Sequence, residues 1–320
     1  MRTWLALSLC LSASWLVDAQ GELTVLQLRP TFYMIAGAGG NIAVQLGEDG
    51  VVVVDAGSAA SAPAVVAAIK KITSAPIRYV INTNADPDHV GGNEIVAKAG
   101  QTLMLTRAIA LPTNFLGAGP ASILAYERVL TRMSAPTGET SPFPAAAWPT
   151  EAFEGDRKTV YLNGEGIEIL HMPAAHADAD SIVFFRRSDV IVAGDIFDTT
   201  RFPVIDVVRG GSIQGELGAL NRISEMAIPS VPIISREAGT LIIPGHGHVG
   251  DQFDVVHYRD MVTIIRDHVL DLVKAGQTVE QVKAAAPARG YVRRYGSDSG
   301  SWTTNNFIEA IYRGLAWAKS

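Results

Sequence analysis

The sequence predicts an α/β fold. Short apolar runs with the spacing of buried strands recur between residues 23 and 246, and several of them end in a polar loop. Helical patterns follow some of these runs, and the longest, residues 253–274, lies beyond the last of them. We therefore expect one α/β domain in which helices cover a sheet.

Composition limits the possible partners. The chain has 320 residues, 48% of them hydrophobic, and a formal net charge of −6. It contains no basic block, so a nucleic-acid partner is not expected. It also contains no low-complexity tract, no repeat and no second long apolar run after the N-terminus. We expect a single domain over residues 20–320 that binds a small-molecule substrate, and the sequence leaves the oligomeric state open.

The N-terminus has the pattern of a secretory signal peptide. A basic start, an apolar stretch over residues 4–17 and a small-residue cleavage site predict removal of residues 1–19. The apolar stretch is shorter than the roughly 20 residues that span a bilayer, so an uncleaved anchor is the weaker alternative. Cys10, the only cysteine, lies in this segment, and the mature chain is expected to hold no disulfide. We expect a periplasmic or secreted protein with no membrane segment after cleavage.

Sheet structure is predicted at the start of the mature chain. Paired strands and a hairpin precede a first helix, and a further strand leads to a polar loop and a second helix. The glycine-rich residues 37–41 join two strands, so they are not a nucleotide-binding loop. The predicted strands are 23–28, 32–35, 41–46, 51–55 and 77–81, and the predicted helices are 60–72 and 93–99.

The middle of the chain is less regular. A strand is expected over residues 101–106 and a helix over residues 121–133. The loop 136–149 is rich in proline and alanine, and its Phe143 and Trp148 either form a lid over a pocket or anchor a surface loop. The second reading is the default.

The remaining strands alternate with turns and end in helices. Thr278 and Gln281 form a predicted capping box at the start of one helix. The predicted strands are 159–162, 167–171, 181–185, 190–193 and 240–246, and the helices are 214–226, 253–274 and 307–317.

Cation-binding side chains crowd the loop after residues 77–81. Asn84, Asp86 and Asp88 alternate there, which predicts that the amide and the two carboxylates point towards one side, and His89 adds an imidazole beside them. Two carboxylates in one short loop repel each other unless a cation compensates their charge. The loop therefore predicts a metal site.

This loop resembles that of the metallo-beta-lactamase superfamily. Residues 83–92 follow the pattern Thr-His-x-His-x-Asp-His-x-Gly-Gly, with Asn84 and Asp86 in place of the two first histidines. Three further matches follow in order: His176 in a Pro-Ala-Ala-His segment, Asp195 in Gly-Asp, and His246 in Pro-Gly-His-Gly. The resemblance covers about residues 32–246. It implies a four-layer αβ/βα sandwich, with a helical C-terminal extension over residues 250–320 and ligands on loops along one edge.

The resemblance also implies a set of metal ligands. Asp88, His89 and His246 match one position, with Asp195 as a bridge or fourth ligand. His176 and Asp195 remain for a second position. Asn84 and Asp86, where the family has imidazoles, are the weaker ligands there.

The metal is therefore expected to be zinc, with one ion expected and the second position open. An amide is a poor zinc ligand, which favours a mono-zinc enzyme. In the other reading the carboxylate replacing an imidazole makes the second position harder and suits iron or manganese.

The function implied is metal-dependent hydrolysis. A metal-activated water would open an ester, thioester, lactone or β-lactam bond, with Asp88 also orienting the water. An iron-dependent oxidoreductase and a catalytically inactive member are the alternatives. Asp55 is expected to support the site or to cap a helix. His171 is expected to pack in the core or to support a ligand. His248, two residues after His246, is expected not to be a ligand.

Overall fold

The first of two β-sheets contains seven strands in chain order. The computed structural model describes residues 23–103, 119–135, 138–231 and 239–317. Neighbouring strands of this sheet are antiparallel from β1 to β4 and parallel from β4 to β7. The strands are β1 (Thr24–Arg29), β2 (Phe32–Ala38), β3 (Gly40–Gly47), β4 (Gly50–Val54), β5 (Ile77–Ile81), β6 (Ser122–Tyr126) and β7 (Glu151–Phe153).

The second sheet contains five strands in the order β12, β11, β10, β9, β8. Only the β11–β12 pair is parallel. The strands are β8 (Arg157–Leu162), β9 (Glu165–His171), β10 (Ser181–Phe185), β11 (Val190–Asp198) and β12 (Leu241–His246).

Helices cover the outer face of each sheet. Those between the strands of the first sheet are α1 (Ala62–Ile72), α2 (Pro87–Val90), α3 (Asn93–Lys98) and α4 (Glu127–Met133). Those that follow β11 are α5 (Ile213–Met226), α6 (Gln252–Lys274), α7 (Val279–Ala284), α8 (Val292–Tyr295) and α9 (Thr304–Trp317). Helices α1 and α3 pack on the first sheet, and α5, α6 and α9 pack on the second. The predicted four-layer sandwich with covering C-terminal helices is confirmed.

Strand β4 shows why the sequence builds this sandwich. Its Val51 and Val53 face the core under α1 and α3, and its Val52 and Val54 face the core between the sheets. Successive side chains of a strand point to opposite faces, so a strand buried on both faces must be apolar throughout. All four valines are fully buried.

Two predictions for the middle of the chain are wrong where the structure describes them. Residues 121–133 are not one helix, because the first part is strand β6, which lies in parallel between β5 and β7. The predicted strand over residues 101–106 is absent at 101–103, and the rest of it lies outside the described residues. The predicted signal peptide, residues 1–19, also lies outside them.

Other local predictions are confirmed. Thr278 and Gln281 form the predicted capping box of α7. Trp148 donates a hydrogen bond to the carbonyl of Phe143 (3.0 Å), and both rings pack against a small core cluster, as expected for anchors of a surface loop. None of the helices in the described parts of the chain is long and apolar enough to cross a bilayer.

Candidate metal centre

Donor side chains from four separate parts of the chain, in or just after strands, meet at one edge of the sandwich. The polar loop follows β5, His176 follows β9, Asp195 lies in β11, and His246 ends β12. Polar side chains at the carboxyl ends of strands line the crevice where α/β sheets present their sites.

The first group of donors consists of Asp88, His89 and His246, whose donor atoms lie within 4.8 Å of one another. His246 Nε2 is 3.2 Å from Asp88 Oδ2. Asp195 also touches this group, with Oδ2 at 3.2 Å from His89 Nε2 and Oδ1 at 3.3 Å from His246 Nε2. We call Asp88, His89 and His246 the first donor group.

The second group consists of Asp86, His176 and Asp195, again within 4.8 Å of one another. His176 Nε2 lies 3.2 Å from Asp86 Oδ2. Asp195 therefore belongs to the second group and contacts two members of the first, as a bridging carboxylate would. We call these three residues the second donor group.

A short helix begins between the two carboxylates of the loop. Asp86 is the extended residue before α2, and Pro87 occupies the first turn, where its missing N–H costs nothing. Asp88 and His89 lie within α2. The predicted alternation of Asp86 and Asp88 towards one side is therefore wrong, because the chain turns helical between them and sends each carboxylate to a different donor group.

Asp55 orients His89. Its Oδ2 accepts a hydrogen bond from His89 Nδ1 (2.8 Å), and its two oxygens accept bonds from the amide and hydroxyl of Thr83 (2.8 and 2.7 Å). With Nδ1 protonated, the lone pair of Nε2 faces the site. Asp55 does not cap α1, whose preceding residue is Ser61. Of the two expected roles, support of the site is the one that the contacts fit.

His176 and Asn84 are held by other contacts. His176 Nδ1 donates to the carbonyl of Val204 (2.8 Å), which leaves Nε2 for the site. Asn84 Oδ1 accepts the backbone N–H of Asp86 (2.9 Å), and Asn84 Nδ2 donates to Asp195 Oδ2 (3.1 Å). Asn84 thus holds the backbone of Asp86 and the carboxylate of Asp195 through hydrogen bonds.

Electrostatics at the centre favour a bound cation. Burial lowers the pKa of His176, but Asp86, Asp180 and Asp195 outweigh it and raise the value to about 10. Burial has the same effect on His246, where Asp195 and Asp88 raise the pKa to about 9. In the opposite direction, burial raises the pKa of Asp195, but His89 and its other imidazole neighbours bring it well below the usual range. In the metal-free protein the imidazoles hold protons where a metal ion would stand.

The donor set fits a divalent metal ion. His89 Nε2, His246 Nε2 and Asp195 Oδ1 are buried and form no hydrogen bond within the described residues. His246 Nε2 lies 3.3 Å from Asp195 Oδ1, and His89 Nε2 lies 3.2 Å from the other oxygen, Oδ2, but neither contact has hydrogen-bond geometry. Buried polar atoms without partners are costly, and a metal ion would satisfy all three at once. Imidazole and carboxylate are ligands of zinc, and two carboxylates beside one imidazole also suit iron or manganese.

The remaining histidines lie outside both groups. His171 stacks on Tyr126, with ring centroids 3.6 Å apart, and its Nδ1 is 3.0 Å from the carbonyl oxygen of Asp180. His248 is exposed and contacts the carbonyl of Val249.

Sequence reasoning missed Arg209, whose guanidinium donates to Asp86 Oδ1 (3.0 Å). In the sequence, Arg209 is a single basic residue before Gly210 and Gly211, and no local pattern predicts its contact with residue 86.

Comparisons with known proteins agree with this fold. The chain is 22% identical over 299 residues to a linear primary-alkylsulfatase from Pseudomonas sp. (strain ATCC 19151), covering 84% of this chain and 54% of that protein. The structure of the stereoselective inverting sec-alkylsulfatase Pisa1 from Pseudomonas sp. has a TM-score of 0.60 at 15% identity, over 91% of this chain and 50% of that one. This chain therefore spans about half the length of the alkylsulfatases that it matches.

Smaller members of the same fold match along their whole length. A metallo-beta-lactamase from Pontibacter korlensis has a TM-score of 0.53 at 15% identity, over 75% of this chain and 99% of that one. A profile of the family described as the metallo-beta-lactamase superfamily matches residues 37–246, from the end of β2 to the last histidine of the site. The chain belongs to the metallo-beta-lactamase superfamily.

Proposed function

We propose that this protein is an exported metal-dependent hydrolase whose catalytic centre holds two metal ions. The observation that carries the proposal is the position of Asp195, which belongs to the second donor group and also lies 3.2 Å from His89 Nε2 and 3.3 Å from His246 Nε2 of the first. One carboxylate within reach of two sets of donors fits a site that holds two neighbouring metal ions for hydrolysis.

The proposed number of metals differs from the sequence expectation of one zinc. That expectation rests on the weakness of Asn84 and Asp86 as ligands. Asp86 Oδ2 nevertheless meets His176 Nε2, and this contact supports Asp86 as a donor of the second position. Zinc fits the first donor group, and the second, with two carboxylates, accepts zinc, iron or manganese.

The chain's own residues divide the chemical work. A bound divalent metal supplies a Lewis acid that polarises the scissile group and lowers the pKa of a water molecule. Asp88 has the most exposed carboxylate of the two groups, with 37% of its side chain accessible, so it can accept a proton from an incoming water. His89 and His176 are held by hydrogen bonds to Asp55 and Val204, which keep their free nitrogens directed into the site.

An anionic ester is the substrate class that the surroundings favour. Burial lowers the pKa of Arg201, but Asp198, with smaller contributions from Asp195 and Asp88, outweighs burial and raises it, so this cation lies within electrostatic reach of the centre. Its Nε donates to Asp198 Oδ2 (2.7 Å), and 37% of the side chain remains accessible. Val208, beside Arg209, is 95% exposed and offers an apolar contact. Since two relatives are alkylsulfatases, alkyl sulfates are the first substrates to test, followed by carboxylic esters, thioesters, lactones and β-lactams.

Metal analysis combined with a hydrolysis screen tests the proposal. We expect purified protein to contain zinc, to lose hydrolysis on treatment with a chelator and to regain it with zinc. A variant with both Asp88→Ala and His89→Ala supplies the inactive control. Protein that binds no metal, or that hydrolyses no ester or amide-type bond when loaded, would contradict the proposal.

An oxygen-rich second donor group favours one alternative, an iron-dependent oxidoreductase of the same fold. Iron in place of zinc in protein purified from cells grown with both metals would move this alternative to first place. The proposed export has its own test, since mass spectrometry of the secreted or periplasmic protein should find a chain that begins near residue 20.

A further inference from the structure

The segment between β11 and α5 contacts both protein ligands that are specific to the second donor group. Residues 204–211 form this segment, which we call the 204–211 segment. The carbonyl of Val204 accepts the Nδ1 hydrogen bond of His176, and the N–H of Asp206 donates to the carbonyl of His176 (2.8 Å). Gly211 lies so close to that same carbonyl that a Cβ there would overlap it. The segment therefore fixes His176 by its backbone.

Arg209 extends the same segment to the other ligand. Its NH1 donates to Asp86 Oδ1 at 3.0 Å, while Asp86 Oδ2 faces His176 Nε2 at 3.2 Å. The two oxygens of one carboxylate thus have separate partners. One is occupied by a guanidinium, and the other is directed into the site.

Arg209 is itself held in place. Its Nε lies 3.4 Å from Asp206 Oδ2, and its backbone N–H donates to Asp206 Oδ1 (2.9 Å). Arg132 donates to the carbonyl of Arg209 (2.6 Å) and pairs with Asp178. Contacts with Asp206 and Arg132 therefore hold the side chain and the backbone of Arg209 in place.

We propose that Arg209 is a positioning residue that makes Asp86 a ligand of the second metal. The proposal rests on the two-metal centre proposed above. A carboxylate in place of an imidazole has a shorter reach, and it can rotate about its terminal bond so that either oxygen faces the metal. Arg209 fixes that rotation, and ligand orientation by a neighbouring partner decides metal affinity.

Two physical effects of Arg209 have opposite signs. As a positioning group it raises the affinity of the second site. As a cation close to that site it repels the metal ion and lowers the affinity. Its side chain is 49% exposed, so solvent weakens the repulsion, and positioning is expected to dominate.

Zinc titration of the whole protein by calorimetry separates the two effects. We expect Arg209→Ala to weaken the second zinc equivalent about 10–100-fold and to leave the first unchanged. Arg209→Lys, which keeps the charge and one donor, should recover part of the loss. Arg222→Ala is the matched control, because Arg222 is similarly exposed (46%) and its ion pair within the described residues is with Glu225, away from the second donor group.

A double-mutant cycle with Asp86→Ala shows whether the effect passes through that carboxylate. In the Asp86→Ala background, removal of Arg209 should change the second affinity little. Tighter binding of the second zinc by Arg209→Ala would show that repulsion dominates and would overturn the proposal. Equal weakening of both equivalents, or a full effect without Asp86, would also overturn it. Wild-type protein that binds only one zinc or none would instead refute the two-metal centre itself.

Discussion

Replacement of Asp55 by asparagine tests how the first donor group is built. Asp55 is buried and accepts three hydrogen bonds of 2.7–2.8 Å, one from His89 and two from Thr83. Asparagine has the same shape, and it tolerates the left-handed backbone of residue 55 (φ 62°). The backbone is therefore expected to remain in place, and the change isolates the chemistry of one atom.

The changed atom reverses a hydrogen bond. With Nδ2 in the place of Oδ2, the group facing His89 Nδ1 becomes a donor, so Nδ1 must accept and the imidazole proton moves to Nε2. The metal must then displace that proton or the ring must turn. Loss of such an orienting partner typically weakens metal binding 10–100-fold, or about 1.4–2.8 kcal/mol.

The effect on the free energy of unfolding should be of similar size. Thr83 keeps an acceptor for its N–H, and its hydroxyl can accept from the new amide, so no partner is left without a hydrogen bond. Loss of charge-assisted bonds should lower the free energy of unfolding of the metal-free protein by about 1–3 kcal/mol.

Zinc titration and urea unfolding measure the two effects on the same protein. Asp55→Asn should weaken the first zinc equivalent much more than the second, while Asp260→Asn, an exposed change on α6, should alter neither. The reasoning fails if Asp55→Asn binds zinc as tightly as the wild type in its folded state, or if both equivalents weaken equally.

Three further predictions follow from the same contacts. His246→Ala should remove metal from the first donor group, because that group loses one of its few donors. Zinc content after gel filtration should fall by about one equivalent per chain. Unchanged zinc content would contradict the assignment of His246. Zinc affinity should rise with pH between about 6 and 9, because the pKa values of His176 and His246 are raised and their imidazoles must lose protons before metal binds. Calorimetry in two buffers should show this proton release. An affinity that does not change with pH would contradict the prediction. Asn84→His together with Asp86→His should strengthen binding of the second zinc equivalent, because imidazoles replace an amide and a carboxylate. Weaker binding of the second equivalent would show that the hydrogen bonds of Asn84 matter more than the added ligands.

The sequence was informative where apolar runs lead directly into polar residues. The strands before Asn84 and His246 are short and apolar, and each delivers its polar residues to the same edge of the sandwich. This is a local pattern, so it can be read without knowledge of the fold.

It was less informative where tertiary pairing decides the outcome. The run Ser122 to Tyr126 has apolar residues at spacings that suit a helix or a buried strand, and only its place between β5 and β7 makes it a strand. Asp86 and Asp88 reach different donor groups because Pro87 begins a helix of four residues, which is shorter than any periodic pattern.

Long-range side-chain contacts were the hardest to predict. Arg209 is 123 residues from Asp86 in sequence, and its role depends on the turn that follows β11. A single cation in a loop carries no pattern, so its partner is visible only when the fold brings the two segments together.

Anomalous X-ray diffraction from crystals grown with zinc tests the two-metal centre most directly, because it gives the element, number and position of bound ions together. We predict one zinc peak among Asp88, His89 and His246 and a second among Asp86, His176 and Asp195, with the Asp195 carboxylate between them. The absence of a peak at either group, or zinc bound only elsewhere on the chain, would contradict the account.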